Sequence, residues 1–309
     1  MEDQIEVGQG SVEANGIHFG FLEAGEGPLV LLLHGFPDDA WTWSSQMQAL
    51  ADAGYRAVAP FMRGYAPTQI PADGRYDAEA LAADVAGLVN SLGEESAFVV
   101  GNDWGGVATH AAAALHPETV RRSVVINIGH PATFFLVPLR PRQVHHIFHF
   151  WFFQLGELAS GAVRANDMAF VDYLWEYWSG PGHEDGEHIA RVKRETLASD
   201  GVVEAGLGYY PALLNFPATH PETAARIQGK VSVPTLAIFG SEDPPRELSE
   251  GEHVHFSGEY RFELVEGAGH FVHRERADEV NRLVLDWFGS GDRKEAPAAG
   301  EAPAGARGA

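Results

Sequence analysis

The chain has 309 residues, 45% of them hydrophobic, which is enough to bury a large core in one α/β unit without a second independent domain. A formal net charge of −22 argues against binding to nucleic acid or to an anionic membrane, since both need a basic face. The absence of cysteine excludes disulfides and thiolate metal sites, and the acidic N-terminal sequence, which lacks the apolar segment of a secretory signal, predicts a cytoplasmic protein.

Apolar segments and helical patterns alternate along the chain. The predicted elements are a strand pair over residues 11–23 that turns at Asn15-Gly16, strands at 29–33, 55–60, 233–239 and 260–265, and helices at 41–54, 77–92 (capped by Asp77) and 105–116. From residue 131 to about 227 aromatic residues cluster with few β-branched runs, as in a helical lid with an apolar underside. The pattern predicts a doubly wound sheet with a helical insertion.

Asp103 lies in a glycine-flanked turn between a predicted strand and a predicted helix. The run Gly101-Asn102-Asp103-Trp104-Gly105 has the form of a nucleophile elbow, with aspartate where serine usually stands. A carboxylate, with a reference pKa of about 3.9, is ionised at neutral pH and needs no base before it attacks. This chemistry suits displacement at the saturated carbon of an epoxide or alkyl halide. The alternative is that Asp103 only caps the helix and the glycines only allow close packing.

An ester formed on Asp103 needs a base to activate water and an acid to orient that base. His270 follows the strand at 260–265 in the run GAGHF, and Asp243 follows the strand at 233–239 in the run GSED. Both therefore stand at the carboxyl ends of strands, where open α/β sheets hold their sites. Glu242 remains an alternative to Asp243, and a solvated loop histidine is the alternative for His270.

The tetrahedral intermediate of ester hydrolysis needs an oxyanion hole. The strand at 29–33 runs into His34-Gly35-Phe36-Pro37, where the glycine permits a sharp turn. We expect the backbone N–H groups of Phe36 and Trp104 to be the donors. We expect His34 to brace this loop by hydrogen bonding and to have no catalytic part.

Four motifs, HGFPDDAWTW, GNDWGG, GSED and GAGHFVH, together resemble the epoxide hydrolase branch of the α/β-hydrolase superfamily over about residues 10–289. The resemblance implies an α/β-hydrolase fold with a mostly parallel eight-stranded sheet, formed by residues 1–130 and 228–289, and an inserted helical cap at 131–227. The composition of residues 290–309, which is rich in alanine, glycine, proline and glutamate, predicts a disordered tail.

The resemblance also implies two proton donors from the cap, which are normally both tyrosines. Tyr210 matches the second donor, whereas His149 stands at the place of the first, as in Cif-type epoxide hydrolases. His149 also lies at helical spacing with His145 and His146 among aromatic residues, so an interior histidine is the alternative. Cif-type proteins take their acid after the sixth strand, but residues 124–128 contain no carboxylate, which leaves the role to Asp243.

The resemblance implies that water converts a small hydrophobic epoxide to a vicinal diol, with no cofactor and no metal. We expect Phe36, Trp104, Phe150 and Phe153 to line the substrate pocket, and a homodimer is compatible with the sequence. The alternative is a haloalkane or haloacid dehalogenase that uses the same Asp103; fluoroacetate dehalogenase also has a histidine at the place of His149. Phe36 after the HG pair and the lack of arginine at the elbow weaken that alternative. A binding protein with a vestigial site is disfavoured by the complete set of Asp103, Asp243 and His270.

One further histidine pair could suggest a metal site. His253 and His255 would share one face of a strand, but no third ligand stands at a recognisable spacing. We therefore expect a surface pair there.

Overall fold

The computed structural model describes residues 7–134, 140–244, 246–249 and 251–295. Its strands are β1 (Gly8–Ala14), β2 (Ile17–Ala24), β3 (Leu29–Leu33), β4 (Arg56–Pro60), β5 (Ala97–Asn102), β6 (Val120–Ile126), β7 (Thr235–Gly240) and β8 (Tyr260–Val265). They form one eight-stranded sheet in the order β1-β2-β4-β3-β5-β6-β7-β8. Pairing is antiparallel from β1 through β2 to β4 and parallel from there on. The predicted mostly parallel sheet is confirmed.

The helices that pack on the core sheet or join its strands are α1 (Ser44–Asp52), α2 (Ala78–Ser91) and α3 (Trp104–Leu115), and, after the insertion, α11 (Arg246–Ser249), α12 (Val272–Glu275) and α13 (Ala277–Glu295). Between β6 and β7 lie α4 (Pro131–Phe134), α5 (Pro141–His146), α6 (Phe148–Phe152), α7 (Glu157–Trp178), α8 (Gly186–Arg191), α9 (Val202–Thr219) and α10 (Pro221–Ile227). We call residues 131–227 the cap segment. Among the described residues, no helix combines the length and the apolar character needed to cross a bilayer.

Local chemistry explains where several of these elements begin. Asp77 caps α2 as predicted, because its carboxylate accepts the backbone N–H of Ala80 at 3.0 Å. The helix predicted from residue 41 starts instead as a 3₁₀ turn, in which Asp39 accepts the N–H of Trp41. The strands β3, β5 and β7 are buried along their whole length, which accounts for their continuous apolar sequence.

Two expectations differ from the structure. Helix α13 continues to Glu295, beyond residue 289, after which the sequence predicts disorder. Residues 296–309 of the predicted tail lie outside the described residues. Residues Glu252–His255 form a 3₁₀ turn where we had assumed a strand, and the ring of His255 stacks on His130 at 4.7 Å.

The turn between β5 and α3 requires very close backbone packing against β3. A Cβ atom on Gly105 would lie 2.0 Å from the carbonyl oxygen of Leu33, and one on Gly101 would lie 2.1 Å from the carbonyl oxygen of Gly105. Neither contact can be relieved by rotating a side chain, since both neighbours are backbone. The glycines of this turn are therefore steric requirements.

We expect Gly105→Ala to lower the free energy of unfolding by about 1–3 kcal/mol or more, because the new methyl group overpacks the backbone of β3. Gly161→Ala is the matched control: its Cβ would meet nothing within 4 Å on helix α7, so the substitution should stabilise by about 0.5–1 kcal/mol. Urea titrations followed by circular dichroism measure both. Equal stability of the two variants would contradict the close packing described here.

Candidate active site

Asp103 occupies the sharp turn after β5 in a strained conformation, with φ 52° and ψ −120°. A non-glycine residue in this region costs about 1–3 kcal/mol and persists only where its surroundings enforce it. The side chain makes no capping hydrogen bond to α3, which argues against the helix-cap alternative. Its carboxylate instead borders an internal cavity.

The two carboxylate oxygens of Asp103 have different surroundings. The backbone N–H of Phe36 donates to Oδ1 at 2.8 Å, and Oδ2 lies 3.8 Å from Nε2 of His270. His34 braces the loop before Phe36, as expected: its Nδ1 bonds the Gly35 carbonyl oxygen at 2.9 Å, and its Nε2 accepts the N–H of Met62 at 3.0 Å. Burial raises the pKa of Asp103, against the opposing effects of His270 and of the Phe36 and Trp104 amides.

The structure brings Asp243 and His270 together. Nδ1 of His270 lies 3.1 Å from Oδ2 of Asp243, whose side chain is fully buried. Glu242, the alternative acid, is exposed and accepts a hydrogen bond from Ser241. The geometry therefore favours Asp243 as the orienting acid.

The electrostatics of this pair are mutual. Burial alone would raise the pKa of Asp243, but the neighbouring His270 and His146 outweigh it and hold that pKa below the ordinary value. Burial alone would lower the pKa of His270, yet Asp243 outweighs it and raises that pKa. Each group thus favours the charged form of the other.

Several residues that the sequence did not single out hold His270 in place. The carbonyl oxygen of Trp178, at the end of the cap helix α7, accepts the backbone N–H of His270 at 2.7 Å. Glu275 accepts the N–H groups of Gly269 and Phe271, at 2.8 and 3.1 Å. Asn127, at the end of β6, donates from its side chain to the carbonyl oxygen of His270 at 2.6 Å. The backbone of residues 269–271 is therefore fixed by hydrogen bonds from the cap helix α7, from Asn127 and from Glu275.

The cap histidine and tyrosine differ in position. His149 borders the cavity with Asp103, is buried, and has no hydrogen-bond partner at Nδ1 among the described residues. Tyr210 does not border that cavity; its ring packs edge-on against Trp104 at 5.0 Å, and its buried hydroxyl likewise has no described partner. Burial lowers the pKa of His149 well below the ordinary value, and burial followed by the charge of Asp103 raises that of Tyr210 well above its own.

The cavity has a volume of about 150 Å³ and a mainly apolar wall. Of the four residues expected to line the substrate pocket, Trp104 and Phe150 lie in the described wall of this cavity and Phe36 and Phe153 do not; their part in substrate binding stays a prediction. The rings of Phe36 and Phe153 instead pack edge-on against the ring of Tyr210, with centroids 6.1 and 4.8 Å apart.

Charged groups are few around this cavity. Among its described lining residues there is no lysine or arginine, and the basic side chains there are His146, His149 and His270. Within the described part of the chain, no group of three or more histidine, aspartate or glutamate side chains is arranged so that it could hold a metal ion.

Comparisons with known proteins identify the family. A family model described as the alpha/beta hydrolase fold matches residues 28–277. The AB hydrolase superfamily protein YfhM of Bacillus subtilis is 32% identical over 283 residues, which cover 90% of this chain and 96% of that protein. Epoxide hydrolase A of Mycobacterium tuberculosis is 30% identical, covering 90% of this chain and 96% of its own. The chain is an α/β hydrolase of the epoxide hydrolase branch.

The fold agrees with solved structures of the same branch. The crystal structure of epoxide hydrolase VrEH1 from Vigna radiata superimposes on this α/β hydrolase with a TM-score of 0.77, at 26% identity. The match covers 92% of this chain and 99% of that one. The cap segment is thus included in the likeness.

We expect the imidazole of His270 to titrate above the ordinary histidine pKa, because the Asp243 carboxylate stabilises its protonated form. Asp243→Asn should lower the pKa of His270, whereas Glu242→Gln should leave it unchanged, since Glu242 is exposed and bonded elsewhere. Nitrogen-15 NMR of labelled histidine measures all three proteins. A shift with Glu242→Gln and none with Asp243→Asn would mean that the wrong acid has been identified.

Proposed function

We propose that this α/β hydrolase converts a small hydrophobic epoxide to a vicinal diol through an ester on Asp103, which water activated by His270 then hydrolyses. The observation that carries the proposal is the asymmetric setting of the Asp103 carboxylate: Oδ1 rests on the Phe36 N–H and Oδ2 faces His270. The names of the relatives, several of which are epoxide hydrolases at 27–30% identity, support it.

In the first step, Oδ2 of Asp103 attacks a ring carbon of the epoxide and the carbon–oxygen bond breaks. The electron pair of that bond stays on the epoxide oxygen, which takes a proton or hydrogen bond from the cap. Oδ1 becomes the carbonyl oxygen of the ester and remains on the Phe36 N–H. An anionic nucleophile and an apolar cavity suit this step, because the attacking charge is poorly solvated.

In the second step, His270 takes a proton from water, and the hydroxide attacks the carbonyl carbon of the ester. Charge then develops on the oxygen that the Phe36 and Trp104 N–H groups hold. The buried Asp243 stabilises the imidazolium. Collapse of the intermediate breaks the ester bond, and the diol oxygen receives the proton from His270. The proton left on the carboxyl group of Asp103 returns through solvent to the cap donor that gave one in the first step, which restores both groups.

Tyr210 is the main proton donor in this proposal, and His149 is a second hydrogen-bond donor to the epoxide oxygen. The ring of Tyr210 lies directly behind the described cavity wall, against Trp104 at 5.0 Å and His149 at 5.4 Å, so its role requires its hydroxyl to reach the epoxide oxygen beside His149. The raised pKa of Tyr210 keeps its hydroxyl protonated at neutral pH. The lowered pKa of His149 keeps its ring neutral, with one N–H to donate. The buried, unpartnered polar atoms of both side chains support a role toward a ligand.

A haloalkane dehalogenase is the second candidate, and one observation favours it. The indole N–H groups of Trp104 and Trp178 are both buried without a partner among the described residues, and both rings border the cavity. Two such donors could hold a departing halide. The lack of lysine and arginine in the described wall disfavours a haloacid. The expected cytoplasmic location and homodimer stay predictions.

We expect His270→Gln to form the ester on Asp103 at nearly the normal rate and to hydrolyse it very slowly, since only hydrolysis needs activated water. Single-turnover incubation with an epoxide panel, quenched and analysed by mass spectrometry, should show the adduct on the peptide that contains Asp103. Asp103→Asn is the control and should give neither adduct nor diol. Full diol formation by a sample of Asp103→Asn shown free of deamidation would exclude the covalent mechanism.

We expect Tyr210→Phe to slow epoxide opening by about 10²- to 10³-fold, as removal of a donor to a developing oxyanion typically does. His149→Tyr should retain substantial activity because it restores the donor usual in the family. Alkylation rates on an epoxide and on a haloalkane should be compared for wild type, Tyr210→Phe and His149→Phe. If both phenylalanine variants open epoxides normally but fail to release halide, the dehalogenase candidate replaces the first.

A further inference from the structure

The second oxygen of the buried acid Asp243 faces a histidine of the cap segment. Oδ2 of Asp243 is engaged by His270, whereas Oδ1 has no hydrogen bond of ordinary length within the described structure. The group that faces Oδ1 is the imidazole of His146, whose Nε2 lies 3.4 Å away. The acid therefore lies between two imidazoles, one from the core loop and one from helix α5.

The position of His146 is well defined by packing. Its side chain is 8% exposed, and its ring lies against that of Tyr177 with centroids 5.6 Å apart. Gln143, one turn earlier on α5, donates from its side chain to the carbonyl oxygen of Pro244 at 2.7 Å. This bond ties α5 to the residue that follows Asp243, so the helix and the acid are held together at two adjacent points.

A fully buried carboxylate oxygen without a donor is destabilising, and it leaves the carboxylate free to rotate away from its partner. An N–H at Nε2 of His146 would satisfy Oδ1 and hold the carboxylate plane toward His270. The distance of 3.4 Å is long for such a bond. Catalytic hydrogen bonds are often long without substrate and tighten when it binds.

We infer that His146 is a positioning residue for ester hydrolysis, which acts by donating from Nε2 to Oδ1 of Asp243 and thereby orients the pair of Asp243 and His270. The inference rests on the proposed function, since it assigns His146 to the second of its two steps. His146 and His149 both line the cavity that Asp103 borders, and His149, three residues further along, serves the first step. In this assignment His149 acts in the first half-reaction and His146 in the second.

The test compares four variants in single-turnover experiments with an epoxide, in which ester formation and ester hydrolysis are measured separately by quenching and mass spectrometry. His146→Phe keeps a ring against Tyr177 but removes the donor, and His146→Leu removes both. His146→Gln places an amide nitrogen near the position of the imidazole Nε2. His145→Leu is the matched control, because His145 is the exposed neighbour on the same helix and bonds Tyr177.

We expect His146→Phe to slow hydrolysis by about 10- to 100-fold, as loss of a hydrogen bond to a buried charge would, and to accumulate ester. Ester formation should stay within about threefold of wild type. His146→Gln should restore most of the hydrolysis rate, and His145→Leu should match wild type in both steps. A loss of packing alone would not be rescued by glutamine.

Three outcomes overturn the inference while leaving the proposed function intact: normal hydrolysis in both His146→Phe and His146→Leu, a folded His146→Gln as slow as His146→Phe, or slowed formation with normal hydrolysis. The last would mean that His146 acts through His149. Melting temperatures establish folding for each variant, and if His146→Phe is unstable, His146→Gln and His146→Leu still decide the matter. If wild type forms no ester on Asp103, the proposed function fails and the inference fails with it.

Discussion

The proposed reaction depends on one constraint: Asp103 must stay ionised although its side chain is only 17% exposed. Burial raises its pKa, and what opposes that shift is a small set of dipoles and one base: the Phe36 and Trp104 amides and His270. The Phe36 amide lies next to a close contact with Asp103, since a Cβ on Gly35 would lie 2.2 Å from Oδ1. The turn after β5 holds Asp103 at a φ of 52° and packs Gly105 directly on the backbone of β3. The strained turn thus places the carboxylate of Asp103 where these amides favour its ionised form.

The cap segment is hydrogen-bonded to the core at two places close to Asp103 and His270. The carbonyl oxygen of Trp178 holds the backbone of His270 at 2.7 Å, so the base and the cap helix α7 share one hydrogen bond. In the loop after β3, Oδ1 of Asp38 lies 2.7 Å from Nε2 of His188 in the cap segment, and both side chains are buried. Both hydrogen bonds are buried. A movement of the cap segment would therefore shift His270 and the loop at Asp38 together, which couples the positions of the cap side chains to the geometry of the core.

Sequence patterns predicted what depends on local chemistry and failed where chain-distant contacts decide. The strands at Leu29–Leu33 and Tyr260–Val265 match their predicted bounds, because apolar runs between turn residues are a local signal. Asp103 was recognisable for the same reason. Glu275 and Asn127 were missed, since a residue that accepts or donates to a backbone group far away in sequence has no pattern of its own. The same limit applies to Phe36 and Phe153, whose rings pack on Tyr210, a contact that no local pattern in the sequence indicates.

In the proposed reaction, the pKa of Tyr210 would link the charge of Asp103 to protonation of the epoxide oxygen. Burial raises this pKa most, and the negative charge of Asp103 raises it further. While Asp103 is ionised, the tyrosine is therefore a weak acid that keeps its proton. Attack on an epoxide would turn the carboxylate into a neutral ester and move its charge to the epoxide oxygen. The contribution of Asp103 then disappears in the same step that creates a strongly basic oxygen, so the hydroxyl becomes more acidic when a proton is needed. The loss of the negative charge on Asp103 would thus itself make the Tyr210 hydroxyl a better proton donor, with no further group required.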